Sequence, residues 1–385
     1  MASNANLGVA RIALAAISAT SGNRKKFAPV GAIQAARSPQ NTALIAEMNP
    51  KNAANGNRLS IIQGLATPQA RVTLNYRPQI AATVKNSRTV ANGANPTQAT
   101  AMNVDYNTHR ELDLTYRTVD LLALEKQTED YLNKSNNGAI TVKLDSFSLL
   151  SDMGDQILRV ADQVLQNVDA SVLTAIIAAA GGNLMLGTTA NTGVPSIQAF
   201  NADSSVNPYV MDWFNDLKTV HSFEGKPIVI GGLKAQRYFN RKKIASAAAL
   251  GYDYEKMFAE MDVEFYFDPL VDTLSGQDHI IVMDAGSFVL ETILEHAKLE
   301  DGGVIPATKV GNTNFGQASI TVAQTAAPSF TLDHDLRVRE DDTIAYPAYT
   351  ITPSLHYGTF ARPAGYFKTY GGWDTVTGIF RAKLV

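Results

Sequence analysis

Cysteine is absent from the 385 residues, which excludes a disulfide framework, a thiolate metal site and a cysteine nucleophile. No apolar run reaches the roughly 18 residues that a membrane-spanning helix needs. The short apolar stretch at 12–19 has no basic leader before it and meets Arg24, Lys25 and Lys26 after it, the wrong polarity for a secretory signal, so the chain is expected to be soluble and intracellular when made. Acid is nearly missing from the first part of the chain: residues 1–104 hold eleven Lys and Arg against the single acid Glu47. With a formal net charge of −3 overall, the remainder carries thirteen more acids than bases. Such asymmetry suits a basic arm lying on acidic neighbours, or on nucleic acid, better than it suits an independent basic domain.

The common catalytic signatures are missing as well. There is no G-x-x-x-x-G-K-[ST], G-x-G-x-x-G, H-E-x-x-H or G-x-S-x-G. Gly225-Lys226 resembles part of a phosphate loop, but Pro227 stands where a hydroxyl would bind magnesium. No two of the six histidines are at helical or hairpin ligand spacing. Asp333-His334-Asp335 invites a metal assignment, yet Leu332, His334, Leu336 and Val338 alternate with Asp333, Asp335, Arg337 and Arg339. That pattern places two aspartates and two arginines on one face of a strand, a salt-bridged surface suited to subunit contacts. No catalytic, cofactor-binding or metal residues are assigned.

What the sequence does contain is one long helical stripe. In the stretch 146–182, Leu150, Met153, Ile157, Val160, Val164, Val168, Val172 and Ile176 recur at steps of three and four, and Gly181-Gly182 stops the run. Asp152 and Asp155 are placed near its positive end. Unbroken from Ser151 to Ala180, the helix would be on the order of 45 Å long.

Residues 1–65 are rich in Ala, Asn, Ser and Gly with little periodicity, and read as an arm that orders only against other subunits. Two alternating strands follow, ARVTLNYRP and ELDLTYRTV, read as the legs of an extended ribbon with Asn92-Gly93 and Asn95-Pro96 near its tip. A short amphipathic helix is expected over 119–134 and a strand over 139–144. Residues 209–296 read as an α/β lobe: helix at Trp213, Phe214, Leu217 and Val220, strand at 227–230, helix at 233–250, strands at 263–267 and 279–284, and helix at 287–296. From 304 onward strands dominate, at 319–322, 330–338, 344–351 and 378–384.

This order of parts resembles the major capsid proteins of tailed bacteriophages with the Hong Kong ninety-seven-like coat fold. RVADQVLQNVDASVLTAI is similar to the family's spine helix, which often carries an aspartate where Asp169 stands. KPIVIGGLKAQRYF and MDVEFYFDPLV followed by DHIIVMDAGSFVLETI are similar to the axial-lobe pattern of strand, helix and strand. The resemblance implies an α+β fold with an N-terminal arm at 1–65, an extended hairpin at 66–118 and a peripheral region at 119–208 holding the spine helix, about 146–181. It further implies an axial lobe at 209–300, a β-rich insertion at 301–345 and, at 346–385, C-terminal strands that return to the peripheral region.

It also implies a coat protein that assembles through pentamers and hexamers into an icosahedral shell around double-stranded DNA, held by non-specific contact. Portal, scaffolding and accessory capsid proteins would be its partners, with assembly in the host bacterial cytoplasm and residence in the virion. No scaffolding or protease-cleaved segment is evident at the N-terminus, so scaffolding would be a separate protein or already removed. Arg88, Asn92, Gly93 and Asn95 near the hairpin tip, Arg24, Lys25 and Lys26 on the arm, and Asp333, Asp335, Arg337 and Arg339 are the expected contact residues. The alternatives are an encapsulin-like shell around a cargo enzyme and, in a different class, an enzyme gathering His, Asp and Glu from several loops into one pocket.

Overall fold

The computed structural model describes residues 31–37, 59–62, 69–76, 100–105, 108–112, 114–117, 147–180, 194–221, 223, 225–250, 263–293, 309–310, 313–314, 320–324, 327–339, 348–362, 368–369, 372–373 and 377–385. In chain order the helices are α1 (Gly31–Ala36), α2 (Phe147–Ala180), α3 (Tyr209–Val220), α4 (Leu233–Leu250) and α5 (Leu270–Leu274). The strands are β1 (Leu59–Ile62), β2 (Gln69–Tyr76), β3 (Thr100–Asp105), β4 (Thr108–Glu111), β5 (Leu114–Arg117), β6 (Ser196–Ile197), β7 (Ile228–Gly231), β8 (Glu264–Phe267), β9 (His279–Met283) and β10 (Phe288–Ile293). They continue with β11 (Lys309–Val310), β12 (Thr313–Asn314), β13 (Ile320–Gln324), β14 (Ala327–Arg339), β15 (Ala348–Ala361), β16 (Lys368–Thr369), β17 (Gly372–Trp373) and β18 (Ile379–Leu384). The chain is therefore α+β, as read from the sequence.

Two compact units divide it: Met1–Ala28, Thr108–Val168 and Thr292–His356 form the first, and Pro29–Asn107, Asp169–Glu291 and Tyr357–Val385 the second. In the first unit β14 pairs antiparallel with β13 on one side and β15 on the other, and β15 pairs with β5 through Ala348↔Arg117 to Ile351↔Leu114. In the second unit five strands lie in the order β6-β18-β9-β7-β8. β7 and β8 are parallel, joined by the α4 crossover; β9 runs antiparallel to both β7 and β18, and β18 pairs parallel with β6.

β7 and β9, in the middle of this sheet, are covered on both faces and read as continuous apolar runs, whereas β18 interleaves Arg381 and exposed Lys383 with its buried residues. One face, with Val229, Ile280, Val282, Phe380 and Leu384, packs on Trp213, Phe214 and Leu217 of α3 and on Ala235, Tyr238 and Phe239 of α4. Ile228, Ile230, Ile281 and Met283, on the alternate positions, are buried too, and α1 packs against β7 and β8.

α2 fulfils the helical reading closely, spanning 34 residues and about 51 Å. Val164, Val168, Val172 and Ile176 of the expected stripe are fully buried, widened by Ala161, Leu165, Leu173 and Ala180; Val160 is half-buried. Its start differs from expectation. The helix begins at Phe147, so Asp152 and Asp155 lie beyond a first turn that carries no acid. At the other end Thr377 Oγ1 donates to the Ala179 carbonyl at 2.9 Å, satisfying one of the terminal acceptors.

Three further readings are corrected. The strand ARVTLNYRP pairs with β3, from Arg71↔Asp105 to Tyr76↔Thr100, and not with ELDLTYRTV. Residues 114–117 instead pair with β15, because alternation marks a strand but not its partner. Residues 288–293 are a strand rather than part of a helix: Asp284, Ala285, Gly286 and Ser287 form a turn, with Gly286 at φ +80° and the Ser287 N–H donating to the Asp284 carbonyl at 3.1 Å. Phe288, Val289 and Leu290 then follow consecutively and all are buried, which a helix with one solvent face does not allow. Of the expected strand at 344–351, residues 348–351 begin the longer β15 (Ala348–Ala361), and 344–347 lie outside the described residues. The expected helix at 119–134 and strand at 139–144 lie outside the described residues.

Candidate functional site

α1 is six residues long, GAIQAA, and every one of them is buried. Nothing in its own composition makes so short a helix stable in water. Its stability comes from a cradle on the second unit. The Ile33 N–H donates to Asp169 Oδ1 at 3.0 Å, and the Ala32 N–H to Asp268 Oδ2 at 3.2 Å. Asp169 occupies a core-facing position of α2, one turn from Val172 and Leu173, and is only 2% exposed. Asp268 is equally buried, where β8 enters α5; its Oδ1 accepts from the Leu270 N–H at 3.0 Å.

The two carboxyls therefore meet the free N–H groups of α1 from two different elements. Burial pushes the Asp169 carboxyl well above the usual carboxylate range; the hydrogen bond to Asp268 and repulsion from it add to this, and the Ile33 and Ala32 N–H groups oppose it. A Cβ on Gly31 would lie 2.8 Å from Asp268 Cβ and 3.0 Å from the Phe267 carbonyl, so the approach of α1 depends on that glycine.

A second feature is an open cleft of about 740 Å³ at the start of α4, lined by Phe200, Leu233, Lys234, Arg237, Arg241 and Asp272, among others. Arg241 donates to the Ser204 carbonyl at 2.9 Å and lies over the Phe200 ring at 5.0 Å; Lys234 pairs with Asp278 at 3.6 Å. Asp272 holds the cleft floor, accepting from the Leu233 N–H at 3.0 Å and the Asp278 N–H at 3.1 Å. A Cβ on Gly232 would collide with the Asp272 carboxylate. Gly232→Ala should accordingly displace that cap and lower stability by about 1–2 kcal/mol, read as a lower urea midpoint.

The sequence-predicted contact residues distribute as follows. Asp333, Asp335, Arg337 and Arg339 all lie on β14, opposite Ser354, Thr352, Thr350 and Ala348 of β15, and so share one face by alternation. Arg24, Lys25, Lys26, Arg88, Asn92, Gly93 and Asn95 lie outside the described residues; the last four fall between β2 and β3. Among the described residues no three His, Asp or Glu side chains gather as a metal-binding group. Residue-by-residue reading did not single out Asp268. The available signal was its place in Phe-Asp-Pro-Leu, an acidic side chain just before a proline and an apolar turn.

Neither a family model nor a curated protein sequence matches the chain. Solved structures are similar to it over most of its length. One is titled as Mycobacterium phage Che8, with 11% identity, 82% of this chain and 84% of that chain covered, and a TM-score of 0.37. Another is the capsid asymmetric unit of Cyanophage A-1(L), with 8% identity, coverage of 87% and 93%, and a TM-score of 0.41. A third is a virus-like particle from Pyrococcus furiosus, with 10% identity, coverage of 84% and 88%, and a TM-score of 0.32.

Proposed function

We propose that this chain is the major capsid protein of a tailed bacteriophage, assembling through pentamers and hexamers into an icosahedral shell around double-stranded DNA. The observation that supports it best is α2, a 34-residue helix with a buried apolar stripe, to which a segment from the N-terminal part of the chain is tied at Asp169. Besides this helix the chain has the β2–β3 hairpin and a sheet-and-helix lobe built on β7, α4, β8 and β9; the C-terminal strand β18, expected to return to the peripheral region, instead pairs with β9 of that lobe. Hairpins add little stability alone and gain it from a surface to lie on. Many modest contacts repeated round a closed shell then sum to a stable particle.

In this reading Arg24, Lys25 and Lys26 clasp the acidic body of a neighbour, and Arg88, Asn92, Gly93 and Asn95 rest on an adjacent subunit. The β14 face of Asp333, Asp335, Arg337 and Arg339 forms mixed-sign contacts. Packaged DNA, portal, scaffolding and accessory capsid proteins are the partners, with assembly in the bacterial cytoplasm.

Light scattering and negative-stain imaging of the freshly expressed chain, alone and with its neighbouring gene products, test the proposal. Closed shells or rings of five and six are expected, and a compact monomer or dimer under every condition overturns it. DNA inside the particles fits the phage reading, whereas an enzyme cargo fits a nanocompartment. Reversing Arg24, Lys25 and Lys26 to Glu should lower the assembled fraction, the difference shrinking as salt rises above about 0.1 M.

A further inference from the structure

The outer faces of α3 and α4 are exposed and carry opposite charge. On α4, Leu233, Arg237, Arg241 and Ile244 fall within an arc of about 80° at about 100° per residue. All four are exposed, and the large apolar side chains Leu233 and Ile244 are so by 52% and 61%. On α3, Tyr209, Asp212, Asp216 and Thr219 share an arc of the same width and are exposed as well. Both helices press their other faces on the same side of the five-stranded sheet, through Trp213, Phe214 and Leu217 of α3 and Ala235, Tyr238 and Phe239 of α4. The two outer faces of one copy therefore point away from that sheet and do not meet each other.

Their charges are not spent within the chain. Among the described residues Asp212, Asp216 and Arg237 form no ion pair. Arg241 is positioned by the Ser204 carbonyl and the Phe200 ring, and its guanidinium has further donors for a carboxylate. The order of residues also matches. Read forwards, α3 gives aromatic, acid, acid, Thr219; read backwards, α4 gives Ile244, base, base, Leu233. The two acids are four residues apart and so are the two bases, about 6 Å along each axis.

We propose that α4 of one copy receives α3 of a second copy, antiparallel, with Asp212 on Arg241 and Asp216 on Arg237, closed by Tyr209 against Ile244 at one end and Thr219 against Leu233 at the other. An ion pair open to water contributes little; apolar groups at both ends exclude water from these pairs, whose complementarity then fixes the register. Nucleic acid would satisfy the arginines but not Leu233 and Ile244, and the cleft beside α4 brings Asp272 and Asp278 against a phosphate backbone. Because the two faces differ, a pair of copies retains one free α3 face and one free α4 face, and the contact repeats until a ring closes. The inference deepens the coat-protein reading and rests on it for the size of the assembly.

Sedimentation velocity of the full-length chain over a range of concentrations at about 0.05 M salt tests it with Asp216→Arg, Arg237→Asp and the chain carrying both. Each single variant sets like charges against each other and should weaken association at least about tenfold. The double variant exchanges the charges and should return to within about threefold of wild type. If a single variant fails to fold, as its thermal melt reports, Tyr209→Ala and Ile244→Ala take its place and should each weaken association at least about threefold. Single variants that associate as wild type does, or a double variant no better than the weaker single one, overturn the contact. So does binding of duplex DNA that Arg237→Asp abolishes while association is unchanged, which gives α4 to nucleic acid. Oligomers that obey the charge exchange without closing into shells uphold the contact and count against the coat-protein reading. Shells indifferent to the exchange do the reverse, and a wild-type chain that never associates overturns both.

Discussion

Asp284→Asn and Arg362→Met should each lower the stability of the second unit by about 3–5 kcal/mol, because each leaves one member of a buried ion pair without its counter-charge. Arg362 Nη1 donates to Asp284 Oδ2 at 2.9 Å with the two side chains 2% and 0% exposed. Around them the polar groups are closely matched. The Gly225 N–H reaches Asp284 Oδ1 at 3.4 Å, the Ser287 hydroxyl donates to the Asp284 carbonyl at 2.8 Å, and the Arg362 N–H donates to the Ser287 carbonyl at 2.7 Å.

Thermal unfolding of the unassembled chain should show a loss of roughly 10 °C for either single variant. The informative comparison is the double variant Asp284→Leu with Arg362→Met, which removes both charges and should recover most of the loss. Gly378→Ala adds a third route to the same defect. That residue has φ +79°, where only glycine is unstrained, and a Cβ there would collide with the Arg362 guanidinium. Its cost and that of Arg362→Met should therefore be less than additive, and full additivity would sink this account of the pair.

The second large effect is expected at α1. Ile33 is fully buried and belongs among the largest enclosed side chains of the chain. Ile33→Ala should cost about 2–4 kcal/mol of docking free energy, the range for truncating a core isoleucine. Gly31→Val acts by a different route, forcing bulk into the gap beside Asp268 and the Phe267 carbonyl. Either change should raise the rate of tryptic cleavage at Arg37 by 30-fold or more, on the conversion of about 1.4 kcal/mol per tenfold. If cleavage is unchanged while the whole second unit melts earlier, α1 opens only with global unfolding and is no separable element.

The parts legible in the sequence are those where period and punctuation agree. α4 is read at 233–250 and found at Leu233–Leu250, because Gly231-Gly232 and Gly251 bracket it. α2 is legible from its stripe, since a run that long leaves no other period to fit. α1 was not legible: GAIQAA has no cap, no amphipathic repeat and too few residues, and it is a helix only because Asp169 and Asp268 receive its amides. The partner of β2 is not legible, because the alternation in residues 112–117 fits pairing with β15 as well as it fits a long ribbon. Residues 288–293 are ambiguous in sequence because the six residues FVLETI suit either period, and the turn at Gly286 is what decides.

For the candidate site the limit has the same physical origin. Polar residues can be nominated from alternation along the sequence, as with Asp333, Asp335, Arg337 and Arg339. Asp268, Asp284 and Arg362 matter because distant segments close over them, and Asp169, marked only by its family resemblance, gains its partners the same way. No local window of sequence contains those distances.

β18 lies inside its sheet, between β6 and β9, although residues 379–384 are made some 95 residues after β9. A nascent chain on the ribosome thus holds β9 with a bare edge and an unfilled slot until Phe380, Ala382 and Leu384 emerge. Sheet closure is deferred in time, and the surfaces of the second unit reach their finished form only once that strand has left the exit tunnel. Ribosome-stalled chains lacking residues 379–384 should remain protease-sensitive throughout β9.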